Sequence, residues 1–172
     1  MKKENLKNAV LTALFAALAY VATTVIQIPI PATGGYINLG DCVVLLGAFL
    51  LGPVFGAIAG GIGSALADIL SGYAHYALGT FVIKAAMAAV AALIFKSLKS
   101  KIKIGSPIAA VAGEMIMVFG YFIYESLFLG YGLGAAAAIP GNAIQGIAGA
   151  VSSVLLYHAL YAIPQIKEIS YK

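Results

Sequence analysis

The chain has 172 residues, of which 62% are apolar and 9% charged, where a soluble domain carries about 45–50% apolar and about 25% charged residues. Its mean hydropathy is +1.01, and ten lysines with six acidic residues cannot cover the surface of a water-soluble domain of this size. A soluble enzyme is excluded, and so is a nucleic-acid-binding protein, in spite of a pI near 9.1. What remains is an all-α integral membrane protein with a single domain, 1–172.

Every basic residue is a lysine; a phosphate or nucleic-acid grip would be expected to use the forked guanidinium of arginine. The single cysteine, Cys42, excludes an internal disulfide and reads as a small membrane-buried filler. Tryptophan is absent, so an interfacial belt must come from the ten tyrosines.

Six apolar segments follow one another along the chain. The first, 8–27, is long enough to cross a bilayer core of about 30 Å. Lys2, Lys3 and Lys7 ahead of it resemble the start of a signal peptide, but the apolar run is too long for one and no polar mature domain follows. The piece 28–38 holds Pro29, Pro31, Gly34 and Gly35, which prevent helix and predict an irregular loop. Segment 39–51, closed by Gly52-Pro53, is short for a span unless tilted, kinked or shielded by neighbours. Segments 54–70, 78–95, 107–129 and 139–162 complete the set. Lysines gather at the N-terminus, in the turn carrying Lys96, Lys99, Lys101 and Lys103, and at the C-terminus. The loops 28–38, 71–77 and 130–138 carry none. With six transmembrane helices, the positive-inside rule places both termini and the 96–103 turn in the cytoplasm.

Ionisable residues within apolar segments cost several kcal/mol unless paired or wet, and so mark functional positions. Here they are Asp41, Asp68, Lys84, Glu114 and Glu125, four of them towards the outer face. Asn142 and Gln145 share a face at the outer start of the last segment. Polar groups from several helices at one depth predict a pocket opening outwards, rimmed by Tyr36, Asn38, Tyr73, His75, Tyr76 and Tyr131. Asp68, Lys84 and Glu125 give it a formal balance of about −1, which disfavours a strongly anionic ligand. Lys84 reads equally as one half of a structural ion pair, and Asn142, behind Pro140-Gly141, as a helix start. Asp41 and His158 read as structural. Glu114, Tyr121 and Glu125 lie on one stripe that lines a cavity, relays protons, or in the case of Glu114 makes a hydrogen bond within the bundle.

Ala9, Ala13 and Ala17 make a smooth face on the first helix, and Gly52, Gly56, Gly60 and Ser64 another on the third; both suit close helix packing in lipid. The first, beside a basic cytoplasmic end, also suits a partner protein. Nucleotide, zinc-protease and serine-hydrolase motifs are missing, so neither an enzymatic role nor a cofactor is implied, and the chain cannot power transport by itself. A self-sufficient proton-coupled carrier or channel using Glu114 and Glu125 is the competing class.

The Ala9/Ala13/Ala17 face, Tyr36-Ile37-Asn38-Leu39-Gly40-Asp41, the run from Gly52-Pro53-Val54-Phe55-Gly56-Ala57 to Ala67-Asp68, Gly79-Thr80-Phe81-Val82-Ile83-Lys84 and Pro140-Gly141-Asn142-Ala143-Ile144-Gln145 resemble the substrate-binding S components of energy-coupling factor (ECF) vitamin transporters. The likeness is to the riboflavin, hydroxymethylpyrimidine and pyridoxine subgroup. It implies high-affinity capture of a vitamin-type small molecule at the outer side of a bacterial plasma membrane. The expected site residues are Tyr36, Asn38, Asp68, His75, Tyr76, Lys84, Tyr121, Glu125, Asn142 and Gln145. It also implies a membrane coupling subunit that docks on Ala9, Ala13 and Ala17, two cytoplasmic ATPases, and toppling of the S component to deliver the ligand. A small heteroaromatic of hydroxymethylpyrimidine or vitamin B6 type suits the polar groups better than riboflavin.

Overall fold

The computed structural model describes residues 3–98 and 101–170. Lys2, Lys99 and Lys172, and the side chain of Lys3, lie outside the described residues. The order of elements is α1 (Lys3–Val25), β1 (Gln27–Ile30), β2 (Gly35–Asn38), α2 (Gly40–Leu70), α3 (Ala77–Ser97), α4 (Ile102–Ile123), α5 (Ile139–Tyr161) and α6 (Pro164–Ile169). A π-helical turn, Tyr124–Phe128, extends α4, and a 3-10 stretch, Gly132–Ala138, leads into α5.

Among the described residues five helical stretches are long and apolar enough to cross a membrane, where the sequence predicts six transmembrane helices. The difference lies in α2. Gly52 adopts φ 82°, ψ −176°, a backbone state open in practice only to glycine, and Pro53 follows it. A Cβ built at Gly56 would lie 2.9 Å from Ala48 Cα, and one at Gly60 would lie 2.8 Å from Val44 Cγ1. In a straight helix residues eight apart are separated by about 12 Å. The chain therefore reverses at Gly52 into two antiparallel arms, 40–51 and 53–70, and six apolar rods lie in the bundle as the sequence reading has them. The first arm is only about 18 Å long at 1.5 Å per residue. Val44 to Leu50 is buried without a break, so neighbouring helices, rather than lipid, surround it.

α2 packs against α1 and α3, α3 against α4, α4 against α5, and α5 returns to α2, which closes the bundle. Outward faces are apolar, with Val10, Leu14, Leu18 and Val21 exposed on α1 and Ile144, Ile147, Val151 and Leu155 on α5. That is the inverse of a soluble bundle and fits a lipid solvent. The end of the bundle away from the β-hairpin is filled by Phe49, Phe95 and Tyr157, whose ring centroids lie 4.8–5.4 Å apart. Tyr157 Oη also meets Ser170 Oγ at 3.0 Å, which ties the end of α6 to α5.

The segment 28–38 is not irregular. It forms most of a two-stranded antiparallel hairpin that pairs Gln27 with Asn38 and Ile30 with Gly35. Proline is compatible with a ribbon of two strands because each strand keeps one edge that needs no N–H donor, and Gly34 turns the tip with φ 66°. The all-α expectation is corrected to that extent. The hairpin connects α1 to α2 and lies over one end of the bundle.

Candidate binding site

Beneath the hairpin is a cavity lined by side chains from α1, the second arm of α2, α3, α4 and α5. α1 gives Thr23, the second arm of α2 Ser64 and Asp68, α3 Thr80 and Lys84, α4 Tyr121, the π turn Glu125, and α5 Asn142 and Gln145. The hairpin adds Ile30, Gly35, Tyr36 and Asn38, and Tyr76 enters from the residue before α3. Nine of the ten residues predicted for the site are thus brought together. His75 is the exception. Its side chain is exposed and its ring lies 4.8 Å from that of Tyr76; its backbone carbonyl accepts from Tyr124 Oη at 2.7 Å. A loop residue next to a buried tyrosine takes the opposite side of the chain.

Polar contacts fix the arrangement. Lys84 Nζ pairs with Asp41 Oδ1, and both side chains are buried. Gln145 uses both ends of its amide: Nε2 donates to Asp41 Oδ2 at 2.6 Å and Oε1 accepts from the backbone N–H of Asn38 at 2.6 Å. Asn38 Oδ1 in turn accepts from the N–H of Gly40 at 2.8 Å, at the start of α2. Asp41 therefore joins α2, α3 and α5 and, through Gln145, the hairpin. The structural reading of Asp41 fits this position, and so does the ion-pair reading of Lys84. The pairing revises the charge of the site: with Asp41 cancelling Lys84, ionised Asp68 and Glu125 leave a formal balance of about −2 rather than −1.

The hairpin is latched at further points. Tyr36 Oη donates to Asp68 Oδ1 at 2.6 Å, and Gln27 Nε2 donates to Ser71 Oγ at 3.2 Å. Tyr76 Oη lies 2.9 Å from the Thr33 carbonyl and 3.0 Å from Glu125 Oε1. Burial, with the Asp68 carboxylate as the next cause, raises the Tyr36 phenol well above its ordinary range. Burial chiefly does the same for Tyr76, helped by nearby Glu125. Both phenols remain donors through the physiological range.

Several acceptor atoms in the site have no hydrogen-bond partner, namely Asp68 Oδ2 and Glu125 Oε2 together with the hydroxyls of Thr23 and Ser64. Native proteins rarely leave buried polar atoms unmet, so their concentration around one cavity points to a ligand. The cavity volume of about 20 Å3 has room for a water molecule and not for an aromatic ring.

Thr23, Ile30, Gly35, Ser64 and Thr80 were not expected in the site. Thr80 lies one helical turn before Lys84 and Ser64 one turn before Asp68, so a periodicity of four from the charged positions finds both. The hairpin residues and Thr23 leave no such trace. Glu114 lies below the cavity, not in it, with Cβ packed against Gly146 and the carboxylate against Gly149. Neither carboxylate oxygen has a hydrogen-bond partner, contrary to the bundle hydrogen bond predicted for it. His158 Nε2 meets Ser106 Oγ at 3.0 Å within the bundle, away from the cavity. Ala9, Ala13 and Ala17 are exposed and line an apolar surface groove between α1 and the second arm of α2.

A bundle of apolar rods with a polar cavity under a hairpin at one end defines a ligand-binding membrane protein. Residues 3–162 match the family model for the S component of the ECF-type riboflavin transporter, and the chain belongs to that family, whose members are transport proteins for vitamin or precursor uptake and not enzymes. It is 30% identical over 158 residues to the thiamine precursor transporter HmpT of Lactococcus lactis subsp. cremoris (strain MG1363), covering 91% of this chain and 89% of that one. It is 38% identical over 133 residues to an uncharacterized protein in the gap 3′ region of Pyrococcus woesei, covering 76% of this chain and 86% of that one. The solved structure of the S component of a bacterial ECF transporter superposes with a TM-score of 0.67 at 26% identity, covering 92% of this chain and 97% of that one.

Proposed function

We propose that this S component captures a small heteroaromatic vitamin or vitamin precursor, of hydroxymethylpyrimidine or vitamin B6 type, from the outer side of a bacterial plasma membrane. The observation that carries this reading is the convergence of Asp68, Lys84, Tyr121, Glu125, Asn142 and Gln145 from separate helices on one cavity. Tyr36, Tyr76 and Tyr121 supply aromatic faces for a ring, and the carboxylates and amides supply its hydrogen-bonding edges. The similarity to a thiamine precursor transporter favours the pyrimidine over riboflavin.

Because the cavity does not admit a ring as it stands, the hairpin moves aside for entry and relatches over the bound ligand. Release inward requires a partner, since the sequence holds no nucleotide site. The lysine asymmetry places both termini in the cytoplasm, and hence α6 at the inner face. The coupling subunit docks on the groove of Ala9, Ala13 and Ala17, two ATPases drive the cycle, and the S component topples to carry the ligand across. Equilibrium binding to the purified protein tests the capture step. Sub-micromolar affinity for hydroxymethylpyrimidine or a B6 compound is expected, weakened at least tenfold in Asn142→Ala. Tight binding of biotin or folate with neither of these would contradict it.

A further inference from the structure

Building on that reading, we infer that Asp68 and Glu125 make the site selective for an amine-bearing, unphosphorylated ring, recognised by N–H donors that meet their two free carboxylate oxygens. Three observations carry the inference. Asp68 Oδ2 and Glu125 Oε2 are buried and make no hydrogen bond of good geometry, although the Thr80 and Thr33 side chains lie near enough to act on the two carboxylates; their side chains are 4% and 2% exposed, and both residues line the cavity. Their other oxygens are already held by Tyr36 Oη and Tyr76 Oη, so each carboxylate is fixed in orientation with one acceptor to spare. The only cation lining the cavity among the described residues, Lys84, is paired with Asp41.

The unspent capacity at the carboxylates is therefore for accepting hydrogen bonds. An exocyclic amino group or a protonated ring nitrogen fills such an oxygen. A carbonyl in the same place sets lone pair against lone pair and leaves the carboxylate desolvated and unmet. Lys84 keeps N–H groups beyond the one given to Asp41, so a neutral ring nitrogen or hydroxyl is accommodated at that edge. A phosphate is not, because its charge would add to two carboxylates with no free cation to offset it. The class of ligand is thus a neutral or monocationic amino-substituted azine bearing a free hydroxyl, rather than an oxo ring or a phosphate ester.

Calorimetric titration of the purified protein with matched compounds tests this. The probes are hydroxymethylpyrimidine, its analogue with oxygen in place of the amino group, its phosphate monoester, pyridoxamine against pyridoxal, and riboflavin. The amino pyrimidine should bind at least about 100-fold more tightly than the oxo analogue and the phosphate ester, a threshold set below the roughly 10,000-fold or more by which a site built for a hydrogen bond rejects a ligand lacking it. Glu125→Gln and Asp68→Asn should each shrink that ratio at least about tenfold, since an amide can also donate. Equal binding of the oxo or phosphorylated compound to the wild-type protein would overturn the inference without recourse to any variant. A ratio unchanged in both folded variants would do the same. Should riboflavin or pyridoxal bind tightly and no amine-bearing compound bind, selectivity falls while vitamin capture stands; if no probe binds, both fall.

Discussion

Lys84 and Asp41 are buried side by side in an apolar bundle, and such a pair is worth most as a pair. Removing one partner leaves a bare charge in a medium that cannot solvate it, at a cost of about 3–5 kcal/mol. Lys84→Met should therefore lower the unfolding temperature sharply, whereas Lys84→Met combined with Asp41→Leu should recover most of the loss, as read by thermal unfolding in detergent. Additive damage in the double variant would contradict the pairing. Tyr36 gives a pH prediction. Its phenol is raised in the folded protein by burial and by Asp68, so above the ordinary phenol range, about pH 10, the unfolded chain releases a proton that the folded chain retains. Its contribution to stability is complete below that range and declines as pH rises beyond it. Tyr36→Phe should flatten the alkaline limb of a plot of stability against pH; an unchanged limb would show that Tyr36 is not so held. At this scale the sequence was informative where charge was concerned, because an ionisable residue in an apolar run stands out. It did not show which acid would claim Lys84, since the choice of Asp41 depends on how three helices approach.

The arms of α2 show what an element can and cannot reveal before it is folded. Gly52-Pro53 read as a boundary between two segments, and the spacing of Gly56 and Gly60 as a packing face; both describe the reversal seen here. What was hidden was that the glycine face packs against the preceding arm, with Ala48 and Val44 as its partners. Gly52→Ala should cost about 1–3 kcal/mol, because its φ of 82° lies where a Cβ is strained. Chemical denaturation of the variant measures this, and a loss below a few tenths of a kcal/mol would mean that the reversal does not need the glycine. The hairpin between α1 and α2 was missed because its prolines and glycines are breakers in any helical or central-strand context, while an isolated ribbon tolerates them. The π turn that carries Glu125 also has no simple sequence signal, although such turns often mark functional sites.

For the whole molecule, size, apolar content and six-rod organisation were legible from composition and segment length, because a lipid solvent imposes strict rules on both. The meeting of polar residues in one cavity was foreseeable in outline, from their common depth, but not the latch that joins the hairpin to four parts of the bundle. The exposed apolar groove of Ala9, Ala13 and Ala17 can be filled by substitution without reaching the cavity. Ala13→Trp fills the groove on the outside of α1, remote from the cavity, so ligand affinity should be unchanged while co-purification with the coupling subunit is lost. Retention of the complex would remove that face from the interface.

Reconstituted uptake separates vitamin capture for partner-driven import from transport by a self-sufficient carrier. Proteoliposomes containing this protein, the coupling subunit and both ATPases should accumulate labelled hydroxymethylpyrimidine or pyridoxamine only when ATP is supplied. The protein alone should accumulate neither, with or without a proton gradient. Uptake by the isolated protein, or none by the complete complex with ATP for any vitamin-type ligand, would rule out partner-driven vitamin import.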